Sequence, residues 1–235
     1  MSEENSLLFW YPKIKNLGIP TPRTEIVKLK GPVCEEDLSN LVVQWDEISE
    51  KAGKIGYPLF MRTDEFSGKH EWGRTCFVES ERNLKPNIAH LIESSFGADI
   101  IGLPIRALVF REYIPMKNLF KAFYGEMPVN PEIRFFVENE KALCWHWYWV
   151  MDAIKRGTPK GILPKNWKKI LQKEQESISS DEISMLENYA GRVSNAVKGY
   201  WSVDFCKAKD SRWILIDMAN GERSWHPEDC KIYKR

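Results

Sequence analysis

Residues 201–220 constrain the fold more than any other stretch of the sequence. Two short apolar-rich runs, at 203–205 and 213–216, lie on either side of a polar segment at 209–212. Apolar runs of this length, separated by polar turn residues, predict two strands joined as a β-hairpin. The sequence therefore predicts a sheet in the C-terminal part of the chain that includes this hairpin.

Three oxygen-bearing side chains belong to the predicted hairpin. If its strands pair, Asp204 and Asp217 lie near the ladder, and Asn220 lies just past its end. Two carboxylates and an amide oxygen form a hard donor set. This set suits Mg²⁺, which takes one or two carboxylates and leaves its other positions to water and phosphate. We therefore predict a magnesium site at these three residues. The alternative interpretation is a surface hairpin that happens to be acidic.

Composition limits the partners of the chain. Its net charge is only +1, so no bulk electrostatic attraction draws it to nucleic acid or to a membrane. The five cysteines lack a Cys-x-x-Cys spacing, which favours reduced thiols in a cytosol-like compartment and argues against a zinc ribbon. No apolar run approaches the ~20 residues of a membrane helix, and the first residues do not form a signal peptide. We predict a cytoplasmic protein without a membrane or nucleic-acid partner.

The spacing of apolar residues predicts an α+β organisation. We expect an N-terminal lobe at 1–104, which opens with a short helix, and a C-terminal lobe at 105–235, which includes a loop at 154–165. A long helix at 181–198, with Asp181 at its start and Gly199 after its end, leads into the acidic hairpin. The other predicted elements are helices at 7–17, 35–52 and 83–96, and strands at 24–29, 58–63, 74–79, 106–113, 132–138 and 142–150.

A second informative segment follows the predicted strand at 58–63. The strand ends with Arg62 near its mouth, and the small residues Ser67 and Gly68 come directly before Lys69. Small residues let backbone N–H groups approach an anion closely. Two cations beside such a loop would neutralise a polyphosphate. The alternative interpretation is an exposed turn with solvated charges.

A third segment is the end of the predicted strand at 106–113. There, Glu112, Tyr113 and Ile114 form a transition from a strand to a linker. A linker of this kind presents backbone N–H and C=O groups to the edge of a purine, while Tyr113 and Ile114 supply an apolar wall. We interpret it as an adenine hinge.

The predicted strand at 132–138 places Glu132 and Arg134 on the face opposite its apolar residues. Such a pair belongs either to a solvated edge or to the wall of a cleft. In a cleft, Arg134 suits the charge of a phosphoryl group during transfer.

The tryptophans and histidines give weaker signals. Trp145, Trp147 and Trp149 share one face of a predicted strand, which indicates core or cleft packing or, alternatively, a stacking platform for a base. The histidines show no metal-binding spacing, and His70 beside Lys69 is the one that merits attention. The sequence contains neither a P-loop nor the catalytic loop of protein kinases.

The four motifs, taken in order, resemble the ATP-grasp superfamily. They are most similar to its eukaryotic cell-division-cycle branch, whose members assist the assembly of a translation initiation factor. The resemblance covers residues from about 18 to 220. The motifs that carry it are Arg62-Thr-Asp64 with Ser67, Lys69 and Trp72; Arg111-Glu112-Tyr113; Glu132-Ile-Arg134-Phe-Phe136-Val137; and Asp204 with Asp217 and Asn220.

The resemblance implies an ATP-grasp fold of two α+β lobes, with the nucleotide bound between their sheets. It implies that the chain binds ATP and Mg²⁺ and acts as an ATP-dependent carboxylate–amine, peptide-type ligase through an acyl phosphate. Its substrates would be a carboxylate and an amine, with a peptide or protein end among the candidates. The alternative is a non-catalytic, ATP-dependent protein-assembly factor with a protein partner. Lys69 and Arg134 would be catalytic, and the nucleotide contacts would be Arg62, Ser67, Lys69, Glu112, Tyr113, Ile114, Glu132 and Arg134.

The sequence departs from the pattern of this superfamily at three points. Arg62 stands where many relatives have lysine, which keeps the charge but changes the geometry of a phosphate contact. Asn220 lies three residues after Asp217 rather than two, so we expect either a bulge that returns Asn220 to the metal or a weaker second metal site. The additional N-terminal domain of well-known ATP-grasp ligases has no counterpart in the sequence, which counts against full ligase activity.

Overall fold

A computed structural model describes residues 5–31, 33, 39–97, 105–227 and 230. The chain forms two compact units: a small unit at 22–114, and a large unit made of 1–21 together with 115–235. This division differs from the predicted lobes at 1–104 and 105–235. The reason is that the strand Ala107–Glu112 pairs with strands on both sides in the small unit.

The small unit is built on an antiparallel sheet, here called the first sheet, with strand order β1-β4-β2-β3. One face of this sheet packs against α3 and α4 through an apolar core that includes Met61 and Phe110. Side chains alternate along a strand, so Arg62 and Arg111 lie on the opposite face. The elements are β1 (Thr24–Lys28), α2 (Ser39–Val43), α3 (Trp45–Ile55), β2 (Leu59–Thr63), β3 (Phe77–Val78), α4 (Glu81–Gly97) and β4 (Ala107–Glu112).

The large unit contains a second antiparallel sheet, of order β10-β9-β7-β8, and the hairpin β5-β6. The predicted acidic hairpin is β9-β10. The helices are α1 (Leu7–Ile14), α5 (Met151–Gly157), α6 (Trp167–Glu176) and α7 (Ser180–Ala196). The strands are β5 (Phe120–Ala122), β6 (Met127–Val129), β7 (Glu132–Glu138), β8 (Lys141–Trp147), β9 (Trp201–Lys207) and β10 (Trp213–Asn220).

The two faces of the second sheet differ in chemistry. Phe135 and Phe205 pack edge to face with ring centroids 5.9 Å apart, and Tyr189 of α7 packs against Phe205 at 6.3 Å. This face therefore forms the apolar core beneath α7. By alternation, the opposite face carries Glu132, Arg134 and their cross-strand neighbours, and we call it the polar face.

The predicted helix at 35–52 is interrupted. Residues 35–38 lie outside the described part of the chain, and beyond them α2 and α3 are separate helices that meet at Gln44. The Gln44 side chain is buried; its amide oxygen accepts from the Lys30 N–H at 2.8 Å, and its amide nitrogen donates to the Lys28 carbonyl at 3.0 Å. These long-range bonds tie the helix break to the end of β1.

Two predictions in the large unit are wrong. The predicted loop at 154–165 begins inside α5, because Ile154 is fully buried in an apolar cluster and holds that turn in place. The N-cap of α7 is Ser179 rather than Asp181. Ser179 Oγ accepts from the Glu182 N–H at 3.2 Å, and the Glu182 carboxylate accepts from the Ser179 N–H at 3.1 Å, which is a capping box.

Within the described residues, none of the helices combines the length and the apolar character that a membrane crossing requires. The cytoplasmic location stays a prediction.

Candidate functional site

Three of the predicted site residues form one row across the second sheet. Arg134 of β7 is the register partner of Asp204 of β9, and Asp204 is the register partner of Asp217 of β10. Directly opposed residues of an antiparallel pair share a face with their Cβ atoms about 4.5–5.5 Å apart. The polar face therefore places a cation and two carboxylates side by side.

The first two members of this row form a buried ion pair. Arg134 Nε donates to Asp204 Oδ1, and Arg134 Nη2 donates to Asp204 Oδ2, both at 2.8 Å. The two side chains are only 12% and 6% exposed, and the guanidinium carbon lies 4.7 Å from the centre of the Tyr148 ring. Burial alone would lower the pKa of Arg134, but the Asp204 carboxylate outweighs that effect and raises it above its ordinary value. The bidentate pair is therefore fully charged.

A β-bulge places Asp217 in the row. The register is Leu215 opposite Phe205 and then Asp217 opposite Asp204, so Ile216 is an extra residue in β10. In an unbroken ladder Ile216 would face Asp204, and Asp217 would point to the apolar side of the sheet. Asp217 Oδ1 accepts from the Met218 N–H at 3.0 Å. A bulge was predicted in this strand, but it lies before Asp217 and not between Asp217 and Asn220.

The structure does not bring Asn220 together with the two aspartates. The ladder is regular from Asp217 onwards, and Asn220 is paired with Trp201. Alternation therefore places Asn220 on the face opposite Asp217. Its Oδ1 accepts from the Glu222 N–H at 2.9 Å, and this bond caps a short 3₁₀ turn at Gly221–Arg223. The role of Asn220 as a metal ligand stays a prediction.

Glu132 joins the row from two residues earlier on β7. It is 5% exposed and lies on the same face as Arg134. Its charge adds to the effect of Asp204 in raising the pKa of Arg134. Of the predicted site residues, the large unit thus groups Glu132, Arg134, Asp204 and Asp217.

The small unit holds the predicted phosphate contacts. Arg62 is buried on β2, and its Nε donates to the Thr63 carbonyl at 3.1 Å. Arg111 of β4 is also buried and donates from Nε to Thr24 Oγ1 at 3.3 Å. In the register of β2 and β4, Phe60 opposes Arg111, and Arg62 follows two residues later on the same face. This face therefore carries two guanidinium groups in adjacent positions.

Local hydrogen bonds fix the loop between Arg62 and Lys69. Asp64 is buried and accepts from the Arg106 and Ala107 N–H groups at 3.1 and 3.3 Å, which ties the loop to the start of β4. Thr75 Oγ1 donates to the Gly68 carbonyl at 2.7 Å. Asp64 therefore anchors the loop on the protein side.

Gly68 itself requires its residue type. Its φ is +60°, and a Cβ there would lie 3.0 Å from Thr75 and 3.2 Å from Leu91. Lys69 follows at the start of a single 3₁₀ turn, and both Ser67 and Lys69 are partly exposed. Burial, followed by the nearby charge of Lys69, lowers the pKa of His70. His70 is therefore neutral near pH 7.

The predicted adenine hinge begins where β4 ends. Glu112 closes the strand, and its N–H donates to the Arg23 carbonyl at 2.8 Å. Tyr113 and Ile114 lie outside any strand, and the Tyr113 ring packs edge to face against Phe77 with centroids 4.9 Å apart. Burial raises the pKa of the Tyr113 hydroxyl. The segment is a partly buried linker with an apolar side, as predicted for a hinge.

Sequence reasoning missed a group of four side chains on the polar face. Cys144, His146, His226 and Cys230 bring their ligand atoms within 4.8 Å of one another. Two of these residues are neighbours on β8, but Cys144 and His226 are 82 positions apart. A search for local spacing therefore could not find the group. The Cys-x-His and His-x-x-x-Cys pairs were the available signal.

The chain belongs to an ATP-grasp domain family, the third family of its clade, whose model matches residues 42–235. The ATP-grasp resemblance and the α+β fold are therefore confirmed. Comparison by sequence with curated proteins finds no match.

A solved structure agrees with this fold. The C-terminally truncated Cdc123 from Schizosaccharomyces pombe has a TM-score of 0.54 at 13% identity, over 92% of this chain and 83% of that one. D-alanine–D-alanine ligase from Bacillus anthracis complexed with ATP has a TM-score of 0.49 at 14% identity, over 92% of this chain and 53% of that one. N5-carboxyaminoimidazole synthase from Aspergillus clavatus, in complex with ADP and a ribonucleotide, gives 0.49 and 13%, over 92% and 43%. The chain spans about half the length of the last two proteins.

Proposed function

We propose that the chain binds ATP with Mg²⁺ and uses it as a carboxylate–amine ligase. The observation that carries the proposal is the row of Arg134, Asp204 and Asp217, which one sheet face holds in adjacent register positions. A metal-binding pair of carboxylates next to a cation is the combination that a phosphoryl transfer requires, because catalysis of that step rests on positioning and charge neutralisation.

The donor set fits a hard cation. Asp204 and Asp217 offer carboxylate oxygens from one face, and Mg²⁺ is usually held by one or two carboxylates together with substrate phosphates. Each Asp204 oxygen accepts one bond from Arg134 and keeps a second lone pair. When bound, Mg²⁺ would neutralise charge on the phosphates of the nucleotide. Asn220 would join this set only by giving up its bond to the Glu222 N–H.

The remaining nucleotide contacts follow from the local chemistry. We assign the phosphates to Arg62, Ser67 and Lys69, because the Gly68 turn presents backbone N–H groups between cationic side chains. We assign the adenine to the linker Glu112–Ile114, where the partly buried Tyr113 provides the apolar wall. Glu132 and Arg134 complete the set from β7.

The proposed reaction has two steps. The oxygen of a substrate carboxylate attacks the γ-phosphorus of ATP, which gives an acyl phosphate and releases ADP. The amine of the second substrate then attacks the acyl carbon, so that an amide forms, phosphate leaves and the amine loses a proton. Lys69 and Arg134 would stabilise the transferred phosphoryl group. The carboxylate and the amine include a peptide or protein end among the candidates.

A second candidate is a non-catalytic assembly factor that retains ATP and binds a protein partner. The Arg134–Asp204 pair favours it, because two bonds of 2.8 Å already satisfy both groups and a reaction that uses Arg134 must loosen them. A buried pair of this kind can serve as a structural element of the fold.

Isothermal titration calorimetry with ATP, with and without Mg²⁺, tests the binding proposal. We expect Asp217→Ala to abolish the metal-dependent part of the binding, and Asp210→Ala to leave it unchanged. Asp210 is a matched control because it lies in the turn of the same hairpin and pairs with the neighbouring Arg212. Undiminished Mg²⁺-dependent binding in Asp217→Ala would refute the metal assignment.

Turnover separates the two candidate functions. The protein is incubated with Mg²⁺, ATP, candidate peptides and hydroxylamine, and the ADP and hydroxamate that form are measured. A ligase releases ADP and forms a hydroxamate with some acid, and Arg134→Lys should lose both while the protein stays folded. Stoichiometric ATP binding without turnover, together with tight retention of a protein partner, would support the assembly factor instead.

A further inference from the structure

The missed group of four comes from two separate parts of the large unit. Cys144 and His146 are two residues apart on β8 and therefore point to the same side of the sheet. His146 is the register partner of Arg134, so this side is the polar face. His226 and Cys230 come from the segment that follows the 3₁₀ turn after β10.

Packing holds the second half of the group against the sheet. His226 is 6% exposed, and its ring centre lies 4.2 Å from that of Phe136 and 4.8 Å from that of His146. The residues just before it are also attached: the hydroxyls of Ser202 and Ser224 lie 2.7 Å apart. The imidazole of His226 is therefore positioned by contacts on several sides.

The ligand atoms converge in a way that suits one ion. Cys144 Sγ lies 3.3 Å from His226 Nε2, and all four ligand atoms lie within 4.8 Å of one another. In a tetrahedral zinc site with Zn–S of about 2.3 Å and Zn–N of about 2.0–2.1 Å, ligand atoms are separated by roughly 3.3–3.8 Å. The observed group needs an inward movement of about 1 Å at most to reach this geometry.

The other nitrogen of His226 has the environment of a metal-bound histidine. Its Nδ1 lies 3.3 Å from the Pro227 carbonyl. If Nδ1–H donates to that carbonyl, Nε2 carries the lone pair and faces Cys144. Metal-ligating histidines usually donate their second N–H to a carbonyl or a carboxylate in this way.

We propose that Cys144, His146, His226 and Cys230 bind one Zn²⁺ as a closed structural site. Two thiolates and two imidazoles match the borderline-soft character of zinc and its four-coordinate structural sites, and they do not match Mg²⁺ or Ca²⁺, which take oxygen ligands. The two thiolates also balance the charge of the ion. This site is separate from the proposed magnesium site and does not depend on the proposed function.

Zinc would fasten the segment after β10 to β8. This segment contains Trp225, whose carbonyl accepts from Arg134 Nη1 at 3.5 Å, so the fastened segment borders the Arg134–Asp204 pair. Because four protein ligands fill a tetrahedral site, no open position is left for a substrate. We therefore assign the ion a role in folding and positioning.

Metal analysis of the full chain tests the proposal. We expect about one zinc per chain after purification without chelators, measured by plasma mass spectrometry. Cys230→Ala should weaken the apparent zinc affinity by at least ~100-fold, since loss of an outer-shell partner alone already costs 10–100-fold. Cys206→Ala is the matched control, because this buried cysteine of the same sheet lies outside the group and its loss should leave zinc binding unchanged.

A spectroscopic measurement covers the case in which a variant folds poorly. Replacement of the ion in the unmodified protein by Co²⁺ should give thiolate-to-cobalt charge-transfer absorption, which shows direct bonds to cysteine sulfur. The proposal would be overturned by a zinc-free protein that takes up neither zinc nor cobalt. It would also be overturned by an intact Cys144–Cys230 disulfide in protein purified under reducing conditions, or by equal zinc affinity in Cys230→Ala and Cys206→Ala.

Discussion

The contacts that hold the candidate residues are short-range in the small unit and long-range in the large unit. In the loop before Lys69, Thr75 bonds to Gly68 only seven positions away. In the second sheet, Arg134 bonds to Asp204 across 70 positions, and Cys144 approaches His226 across 82. A turn forms its site from adjacent residues, whereas a sheet forms its site from register. Damage to a long-range contact should therefore cost more stability than damage to a local one.

The largest effect is expected at the Arg134–Asp204 pair. Arg134→Met leaves the Asp204 carboxylate buried without its partner, and breaking a buried pair in this way costs about 3–5 kcal/mol. Urea unfolding measures the loss, and hydrogen exchange should locate it in β7 and β9. The double variant Arg134→Met/Asp204→Asn should be less destabilised than the sum of the two single variants. Additive effects would show that the pair is not coupled.

The next effect is a dependence on pH at Glu182. Partial burial raises the pKa of its carboxyl group, but bonds from Lys207 and Trp213 and the cap at Ser179 lower it to about 2. A lowered folded-state pKa gives stability that is present above about pH 4.5 and is lost as the pH falls towards 2, by at most about 3 kcal/mol. Urea unfolding between pH 6 and pH 2.5 should show this loss, and Glu182→Gln should flatten the slope. An unchanged slope in Glu182→Gln would contradict the assignment.

A smaller effect is expected in the local site. Gly68→Ala places a Cβ at a φ of +60° and 3.0 Å from Thr75, which should cost about 1–2 kcal/mol and weaken ATP binding. Gly53→Ala is the control: Gly53 lies inside α3 with no heavy atom near its would-be Cβ, so alanine should stabilise by about 0.5–1 kcal/mol. A loss at Gly53 as large as that at Gly68 would show that the Gly68 conformation is not the cause.

The smallest effect is expected at Asn220. Asn220→Ala removes the bond to the Glu222 N–H that caps a three-residue turn, and we expect a loss of about 0.5–1 kcal/mol. Calorimetry with Mg²⁺ and ATP should show a smaller change than in Asp217→Ala, because Asn220 lies on the other face of the ladder. An equal loss of metal-dependent binding in both variants would mean that Asn220 turns to the metal when the nucleotide binds.

Sequence reasoning succeeded where periodicity and motif order determine the structure. Strand β7 is observed at the predicted residues 132–138, and the acidic hairpin forms as β9-β10. The family follows from the order of four short motifs, and the family match confirms it. These features depend on neighbours in the sequence, which a single sequence displays directly.

The features that escaped sequence reasoning depend on pairing between distant strands. The partnership of Arg134 with Asp204 follows from the register of β7 and β9. The grouping of Cys144 with His226 requires the segment after β10 to fold onto β8. Neither contact has a local signal, because a residue's own neighbours do not reveal which strand will lie beside it.

The extra residue at Ile216 also has a consequence for recognising proteins of this kind. A motif defined by spacing counts residues along the chain, whereas a sheet counts steps of its ladder, and a single bulge makes the two counts disagree by one. Two homologues with the same number of residues between their acids can therefore present them to opposite sides. An alignment that moved a gap across Ile216 would look equally good on paper and would describe a different molecule.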